Sequence, residues 1–421
     1  MGKSYLYKCR LGSYTGRMNI ALFSDSYLPT KSGIVTVVIQ LRAALEAMGH
    51  HVVIVTVETT PESKSDEDPC IFRVPSIPLG LGTDQFVGFP QKRKIIKFLR
   101  EHHVEIIHCH TEFYIAHAAK RVGKAMHIPT IATTHTMWED FYDYYLPLAR
   151  LIPVKVIRRL VKRLYRKFYA FINVSTKARD YFKSDFMLPD IPSAVVPNAV
   201  DTDAFLSRPD TPEQFAQMRK NWGIGDKDIL LLFVGRIGEE KRVLELLDVA
   251  LEVTAARKNV KALFVGNGPA IEQMRQAVHK ANGDGQVIFT GFVNWTELHT
   301  YYGMSDIFMT CSLSEMHSMT ILEALLSGLP ICTRRDASYL DTVYPGKNGY
   351  LGNTDEEVAR GILELVDDPD KRREYGKRSL EISRTFSIAN HAEKTIAFYK
   401  TVLAYYPHPV NEATLRKNVE G

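Results

Sequence analysis

Two glutamates eight positions apart have the types and spacing to do chemistry. Glu315 lies in a polar loop after an apolar strand pattern, and Glu323 lies about one turn inside a short helix that should end before Pro330. Residues between them should present backbone N–H groups at a helix N-terminus, which receives phosphate or sugar oxygens well. These residues are Met316, His317, Ser318 and Met319. The spacing predicts a site that holds a sugar and the group attached to it.

The same stretch also permits a structural interpretation. Thr320-x-x-Glu323 matches a capping box, in which the glutamate side chain reaches back to the first amide of its own helix. Glu315 would then be a solvated loop acid. These residues alone leave both interpretations open.

Two cations follow a second strand pattern further upstream. The apolar run 229–234 ends in Gly235, and Arg236 and Lys241 lie five positions apart across the turn that follows. A guanidinium offers a planar fork of donors and an ammonium a point charge, so together they can bracket a diphosphate. Surface ion pairs are the alternative.

The first half of the chain supplies two weaker candidates. Gly33 opens a helix after the first strand, and a residue without a side chain there lets a phosphate or sugar approach the helix amides. The loop before it lacks G-x-G-x-x-G, which argues against a nicotinamide dinucleotide site. His135 follows another strand pattern, and ligands of open α/β sheets collect at the carboxyl ends of strands. A structural histidine is the alternative.

Composition limits the function classes. The 421 residues, 45% of them apolar, predict two or more domains with sizeable cores. A run of eighteen apolar residues is missing, so we expect no transmembrane span. Five scattered cysteines without a C-x-x-C pair fit reduced thiols in a cytoplasmic protein.

We predict no metal site, because four candidate acids lack the spacing of metal ligands: Asp25, Asp66, Asp68 and Asp84. Any effect of Mg²⁺ should be stimulatory, and no cofactor should be required.

Charge is divided unevenly along the chain. Residues 1–200 contain 27 Lys or Arg against 17 Asp or Glu, a net +10, whereas residues 201–421 contain 26 against 31, a net −5. This asymmetry predicts that the first half meets an anionic surface.

A basic amphipathic helix is predicted at 153–171. Its apolar stripe consists of Ile157, Leu160, Val161, Leu164 and Phe168. Its other side is cationic, with no acid: Lys155, Arg158, Arg159, Lys162, Arg163, Arg166 and Lys167. Such a helix suits an anionic membrane surface, with shallow insertion by Tyr165, Phe168 or Tyr169. Alternatively the stripe packs on the sheet and the charges are solvated.

In this order, the glycine turn with its two cations and the E-x7-E pair resemble the retaining GT-B glycosyltransferases of family 4, from Met18 to about Phe398. The resemblance implies an α/β fold of two Rossmann-like domains whose parallel sheets face a central cleft. We expect four segments: residues 1–17, an N-terminal extension or tag; 18–200, the acceptor- and membrane-binding domain; 201–385, the nucleotide-sugar-binding domain; and 386–421, C-terminal helices packing back on the first domain.

The family resemblance also implies roles for single residues. Glu315 would lie beside the donor sugar, Glu323 would bind the ribose, and Arg236 and Lys241 would hold the diphosphate. His135 would contact the donor sugar or lie near the acceptor. The chain departs from the family in having Ser32-Gly33 where Gly-Gly is frequent and Asn198-Ala199 where Asn-Gly is frequent. Neither departure removes a charged group.

A narrower resemblance concerns the acceptor. Three segments of the chain are similar to segments of bacterial diacylglycerol glycosyltransferases, which are monotopic and bind anionic lipid. These segments are HTEFYIA, TTHTMWEDFYDYY and SLSEMHSMTILEALLSGLP. We therefore predict a retaining, α-linking transfer of glucose or galactose from a UDP-sugar to diacylglycerol, by a peripheral enzyme of the cytoplasmic membrane face that binds no nucleic acid. The alternatives are a soluble family 4 transferase with a sugar or sugar-phosphate acceptor, a UDP-sugar epimerase, and a non-catalytic lipid-binding module.

Overall fold

Short runs of β-branched and other apolar residues form the strands, and most are buried on both faces, as parallel sheets covered by helices require. The structure, a computed structural model, describes residues 16–30, 32–59, 68–78, 86–137, 153–200, 205 and 211–421. Its strands are β1 (Asn19–Phe23), β2 (His51–Val57), β3 (Ile71–Val74), β4 (Ser76–Pro78), β5 (Phe86–Gly88), β6 (Ile106–Cys109), β7 (Thr130–Thr134), β8 (Phe171–Asn173), β9 (Ser193–Val195), β10 (Ile229–Val234), β11 (Val260–Val265), β12 (Val287–Gly291), β13 (Ile307–Thr310), β14 (Ile331–Arg334) and β15 (Gly349–Gly352).

Helices follow most of the strands. In the described residues they are α1 (Gly33–Ala47), α2 (Lys92–Glu101), α3 (Tyr114–Met126), α4 (Val154–Tyr165), α5 (Thr176–Lys183), α6 (Pro212–Asn221), α7 (Val243–Ala256), α8 (Ile271–Lys280), α9 (Leu298–Gly303), α10 (Met319–Leu326), α11 (Asp355–Asp367), α12 (Pro369–Ser383), α13 (Ile388–Tyr405) and α14 (Glu412–Glu420). Among these residues, no helix is both long enough and apolar enough to cross a membrane. Two sequence interpretations, the extension at 1–17 and the segment TTHTMWEDFYDYY, fall largely outside the described residues.

The chain divides into two units, one made of residues 1–197 and 388–421 and the other of residues 198–387. The C-terminal helices belong to the first unit, where α13 packs against α1 and α14 packs against β9. An ion pair of 2.6 Å joins Lys183 at the end of α5 to Glu412 at the start of α14. The last helices therefore complete the fold of the first unit.

The first unit contains a seven-stranded parallel sheet in the order β3-β2-β1-β6-β7-β8-β9. At its centre, Ile20 of β1 pairs with Val52 of β2 and Ile106 of β6. β4 and β5 form a separate antiparallel pair. The strands of the large sheet run in one direction, so their carboxyl ends share one edge, where such folds bind ligands.

The second unit contains a six-stranded parallel sheet in the order β12-β11-β10-β13-β14-β15. Side chains of its central strand alternate between two cores: Leu231 and Phe233 enter one, and Leu230 and Leu232 enter the other. The loops after the neighbouring strands β10 and β13 lie at one edge of this sheet. Those loops carry the predicted cations and the first of the two glutamates.

Candidate active site

Two glycine loops touch at the carboxyl edge of the second sheet. Gly235 follows β10 and Gly266 follows β11, with φ of 155° and 141°. A Cβ on Gly266 would lie 1.8 Å from the carbonyl oxygen of Gly235, so only glycine fits there. The amide of Ile237 donates to the carbonyl oxygen of Asn267 over 3.0 Å. These backbone contacts fix the loop that carries Arg236.

Arg236 and Lys241 both lie in the turn after β10. Nη1 of Arg236 is 3.5 Å from Oε1 of Glu240. Lys241 ends a short 3₁₀ turn, Glu239–Lys241, and its Nζ is 2.5 Å from Oε1 of Glu315. The structure therefore joins two residues that are 74 positions apart. An ammonium has three donors, so Lys241 can bind Glu315 and a phosphate oxygen at once.

The start of α10 offers the predicted amides. Ser318 is the N-cap residue, but its side chain makes no capping hydrogen bond; its hydroxyl lies 3.1 Å from that of Thr320. Met319, half-buried, is the first helical residue. The first amides of a helix have no acceptor within it, so they can donate to a phosphate. Thr320 is not the N-cap residue and Glu323 does not reach the helix start, which excludes the capping-box interpretation.

Met316 and His317 are buried, so only their backbone can serve a ligand. The imidazole of His317 lies in the interior with Nε2 3.3 Å from Oδ2 of Asp341. Its carbonyl oxygen accepts a hydrogen bond of 3.2 Å from Nδ2 of Asn198. Asn198 thereby fixes the loop that precedes α10.

Glu323 has a buried side-chain carboxyl group, which accepts hydrogen bonds from Tyr302 and Trp295. Only 6% of the residue is exposed, and its Oε2 accepts a hydrogen bond of 2.7 Å from the hydroxyl of Tyr302. Burial raises the pKa of Glu323 to about 7, although bonds from Tyr302 and Trp295 oppose the shift. The carboxyl group thus titrates near neutral pH and can accept hydrogen bonds from a diol when ionised.

In the first unit, His135 follows β7 and belongs to a histidine cluster. Its Nε2 lies 3.2 Å from Nδ1 of His110. Burial lowers the pKa of His135 to about 3, and the charge of His391 acts in the same direction. His108 occupies the interior beside them, with Nδ1 2.6 Å from the hydroxyl of Tyr399. His135 is therefore a neutral hydrogen-bonding group at physiological pH, not a proton-donating imidazolium.

Gly33 is exposed at the start of α1, next to the N-cap Ser32, whose hydroxyl accepts from the amide of Val35. A Cβ on Gly33 would meet nothing within 4 Å, and its φ lies outside the left-handed region. The described fold therefore does not itself require glycine at position 33. A ligand that approaches the helix amides would require it, because a side chain would stand in its way.

The basic helix is shorter than predicted. α4 ends at Tyr165, so Arg166 and Lys167 lie in the turn after it. Of the seven predicted membrane-binding cations, only Arg158 is half-buried, with its guanidinium 4.4 Å from the ring centroid of Phe186. The other six are exposed, and none pairs with a carboxylate of the described residues. These six are Lys155, Arg159, Lys162, Arg163, Arg166 and Lys167.

The apolar stripe of α4 differs from the predicted one. Ile157, Val161 and Tyr165 are buried at four-residue spacing, whereas Leu160 is 51% exposed. Tyr165 packs edge-on against the ring of Phe171, with 5.7 Å between centroids. The stripe packs on the protein because one helical face turns inward at i, i+4 and i+8. The predicted membrane insertion of Tyr165 and Phe168 is wrong, since both are buried. Tyr169 is half-buried.

A cavity of about 870 Å³ lies beside α3, the end of α4 and Tyr406. It combines an apolar lining with cations from both helices: Lys120, Arg121, Lys124, Arg163, Arg166 and Lys167. Nζ of Lys120 is 4.7 Å from the ring centroid of Phe168. The cavity reaches Thr130, the first residue of β7, whereas His135 follows the other end of that strand. It is therefore separate from the histidine cluster.

The sequence did not predict the residues that orient the candidates. Tyr302 precedes Glu323 by 21 positions and His110 precedes His135 by 25, with no motif linking either pair. Asp25, considered only as a metal ligand, instead accepts hydrogen bonds from the hydroxyl of Thr111 (2.6 Å) and the amide of Ile115 (2.9 Å). It anchors the start of α3. For His110 and Asp25, the ends of the strands that they follow could have indicated these roles, whereas Tyr302 lies on helix α9 and carries no such signal.

Two family profiles match the chain: Glycosyltransferase Family 4 over residues 31–204, and Glycosyl transferases group 1 over residues 214–381. With two parallel-sheet units and the loop geometry above, these matches define a glycosyltransferase of the GT-B fold. The chain belongs to glycosyltransferase family 4, which confirms the resemblance read from its motifs. The epimerase and the non-catalytic module are not supported.

Among characterised relatives, the chain is similar to the alpha-monoglucosyldiacylglycerol synthase of Streptococcus pneumoniae, at 30% identity over 416 residues and 93% of each chain. The synthase of the same name from Acholeplasma laidlawii is 28% identical, over 84% of this chain and 89% of the relative. A GDP-mannose-dependent alpha-mannosyltransferase of Corynebacterium glutamicum is 25% identical, over 79% of this chain and 76% of the relative.

Solved structures confirm the fold class. The Anabaena protein HepE in complex with UDP superimposes with a TM-score of 0.73 at 16% identity, covering 91% of this chain and all of HepE. Sucrose-phosphate synthase of Thermosynechococcus elongatus superimposes with a TM-score of 0.70 at 19% identity, covering 92% of this chain and 100% of the synthase. At these identities the likeness concerns the fold alone.

Proposed function

We propose that the protein is a retaining hexosyltransferase that moves glucose or galactose from a UDP-sugar to diacylglycerol in the cytoplasmic face of a membrane. Three features support the proposal: the family, the names of the two similar synthases, and the site geometry. The observation that carries the membrane part is the set of six exposed cations on and after α4, none of which pairs with a carboxylate in the part of the chain that the structure describes. A soluble sugar acceptor would not need such a surface.

In the proposed donor site, charge stabilisation of the leaving group is the main contribution. Arg236, Lys241 and the first amides of α10 donate to the diphosphate as the bond from the anomeric carbon to the phosphate oxygen breaks. Glu323 accepts hydrogen bonds from the ribose hydroxyls. Lys241 is already oriented by Glu315, so little reorganisation precedes the reaction.

Retention is proposed to follow a front-face route. The acceptor hydroxyl attacks the anomeric carbon from the side that the diphosphate leaves, and its proton passes to a departing phosphate oxygen. Glu315 is poorly suited as a covalent nucleophile because its Oε1 is bound to Lys241 at 2.5 Å. His135 would hydrogen-bond the donor sugar as a neutral imidazole, consistent with its lowered pKa. No step in this scheme requires a metal ion.

The membrane side of the proposal rests on the first unit. Cations near an anionic bilayer contribute about 1 kcal/mol each, so the six exposed ones suffice for reversible attachment. Leu160 and Val156 are 51% and 47% exposed on the same helix and can enter the interface. Insertion thus falls to these two aliphatic side chains instead of the buried Tyr165 and Phe168.

A GDP-mannose donor is the second candidate, because similar mannosyltransferases carry that nucleotide in their names. Incubation with radiolabelled UDP-glucose, UDP-galactose and GDP-mannose, each with diacylglycerol in anionic vesicles, tests both. We expect label in the lipid fraction from one UDP-sugar, with an α linkage by NMR. Transfer from GDP-mannose alone would overturn the donor assignment, and transfer only to water-soluble sugars would overturn the acceptor.

A further inference from the structure

Three residues able to bind a metal meet near the amino edge of the first sheet. His51 is the first residue of β2, Cys70 directly precedes β3, and His102 directly follows α2. Nε2 of His51 is 2.9 Å from Nδ1 of His102. One ring nitrogen of each histidine and the sulfur of Cys70 all lie within 4.8 Å of one another. The metal prediction from sequence considered only aspartates and so passed over these three.

Strand pairing places two of the three on one face of the sheet. β2 and β3 are parallel with Ile54 opposite Ile71, which puts Cys70 opposite Val53. Side chains alternate along a strand, so Val53, His51 and Cys70 point to the same face. The register therefore sets the distance between the imidazole and the thiol.

Helix α2 brings the third residue to that face. The ring of Phe98 lies 5.3 Å from that of Phe72 on β3 and 4.6 Å from that of His102, centroid to centroid. Phe98 and His102 are four positions apart, one turn along the chain. Packing of Phe98 on the sheet thus orients His102 toward His51.

Supporting contacts fix the loop that carries the thiol. The amide of Cys70 donates to Oδ1 of Asp68 over 2.8 Å, and Oδ2 of Asp68 is 2.7 Å from Nη2 of Arg42. Nε of Arg42 also pairs with Glu46 at 2.9 Å. Two carboxylates therefore compensate the guanidinium charge, and outer contacts of this kind orient metal ligands.

Two imidazoles and one thiol form a ligand set suited to zinc. Tetrahedral zinc has bonds of about 2.0–2.1 Å to nitrogen and about 2.3 Å to sulfur, which places two ligand nitrogens about 3.3 Å apart. The 2.9 Å separation of His51 and His102 therefore needs only a slight opening. A bond between the two histidines alone would not account for the nearby Cys70.

We propose that His51, Cys70 and His102 bind one Zn²⁺, with water as the fourth ligand. Binding releases the thiol proton of Cys70 and leaves both imidazoles neutral, with no change of oxidation state. The ion would tie the edge strand β3 to β2 and α2, which makes it a structural clip of the first unit. The proposal is independent of the sugar donor and the acceptor.

Cobalt binding to the full-length, chelator-treated protein tests the site, because a Co²⁺–thiolate bond has a near-ultraviolet charge-transfer absorption. We expect one equivalent of Co²⁺ to produce this absorption and Zn²⁺ to abolish it by displacement. Cys70→Ser should eliminate the absorption, and His102→Gln should weaken cobalt binding. His103→Asn is the matched control, since this exposed neighbour has φ of 53°, which asparagine tolerates.

A second measurement does not depend on cobalt. Zn²⁺ should raise the melting temperature of the wild-type protein and of His103→Asn, EDTA should reverse the rise, and Cys70→Ser should show none. If the wild type takes up no stoichiometric Zn²⁺ or Co²⁺, the three residues make only hydrogen bonds and the proposal fails. Equal cobalt absorption in Cys70→Ser would overturn it as well.

Discussion

The hydroxyl of Tyr302 lies 2.7 Å from Oε2 of Glu323, and both side chains are buried in the second unit. Burial raises the pKa of both groups, and that of Tyr302 rises well above its ordinary value. The tyrosine therefore remains the donor whether or not Glu323 is ionised. This bond holds one oxygen of the carboxyl group in place, so that a ligand meets an oriented acceptor.

Tyr302→Phe should weaken nucleotide binding without preventing folding. Loss of a buried donor to a carboxyl group costs about 1–3 kcal/mol, and the cost should be larger at pH 8, where Glu323 is mostly ionised, than at pH 5. Urea unfolding at the two pH values and calorimetric titration with UDP measure both effects. Tyr301→Phe, a change at the neighbouring buried tyrosine, is the control. Equal UDP affinity in all three proteins would contradict the role assigned to Glu323.

Glu323→Gln should change the pH dependence of stability. The pKa of Glu323 in the folded protein, about 7, lies above the ordinary 4.5. The neutral acid therefore stabilises the folded state fully below about pH 4.5, and this stabilisation is lost as the pH rises through 7. Glutamine does not titrate. As the pH rises from 4.5 to 8, the free energy of unfolding of the variant should therefore rise by about 3 kcal/mol relative to that of the wild type. Chemical denaturation across this range measures the difference.

The same variant should bind UDP more weakly, most clearly at pH 8, because an ionised carboxylate accepts ribose hydroxyls better than an amide does. Glu374→Gln, on an exposed part of α12, controls for the loss of one carboxylate. A pH-independent difference in stability between Glu323→Gln and wild type would show that Glu323 does not titrate near 7.

The sequence predicted more of the fold than of the site. Strand patterns, glycine turns and the E-x7-E spacing are local signals, and they carried the family resemblance that implied the two-sheet α/β class. Leu160 belongs to the predicted apolar stripe but is 51% exposed, since spacing cannot tell which edge of a helix turns inward. The bond from Tyr302 to Glu323 and the pair of Lys241 with Glu315 depend on how strands align. The spacing of residues along the sequence does not show how the strands align.

Arg236→Ala and Lys241→Ala should each lower turnover about 100- to 1,000-fold, as removal of an oriented donor from a developing charge commonly does. Both residues lie on loops at the edge of the sheet, so the melting temperature should change little. Steady-state transfer assays give the comparison, with Lys258→Ala, an exposed lysine of the second unit, as control. Near-normal turnover in either variant would remove that residue from the diphosphate site.

Membrane attachment should depend on three cations of α4, and the triple change Arg159→Ser, Lys162→Ser and Arg163→Ser tests it. All three are exposed, and Arg158 is left intact because it packs on Phe186. At about 1 kcal/mol each, their loss should weaken binding to anionic vesicles by roughly two orders of magnitude at low salt. Sedimentation with vesicles measures binding, and added salt should reduce wild-type binding as well, because ions screen the attraction.

The matched control removes the same charge from the second unit, at three exposed lysines: Lys220, Lys227 and Lys258. This control should sediment like the wild type, because the cations of the first unit remain. UDP affinity should be unchanged in both variants, since none of the altered residues lies in the proposed donor site. The α4 variant should lose activity on lipid in vesicles but less on lipid dispersed in detergent. If the α4 variant still sediments fully at low salt, the three cations are merely solvated in the wild type, and the membrane proposal loses its main support.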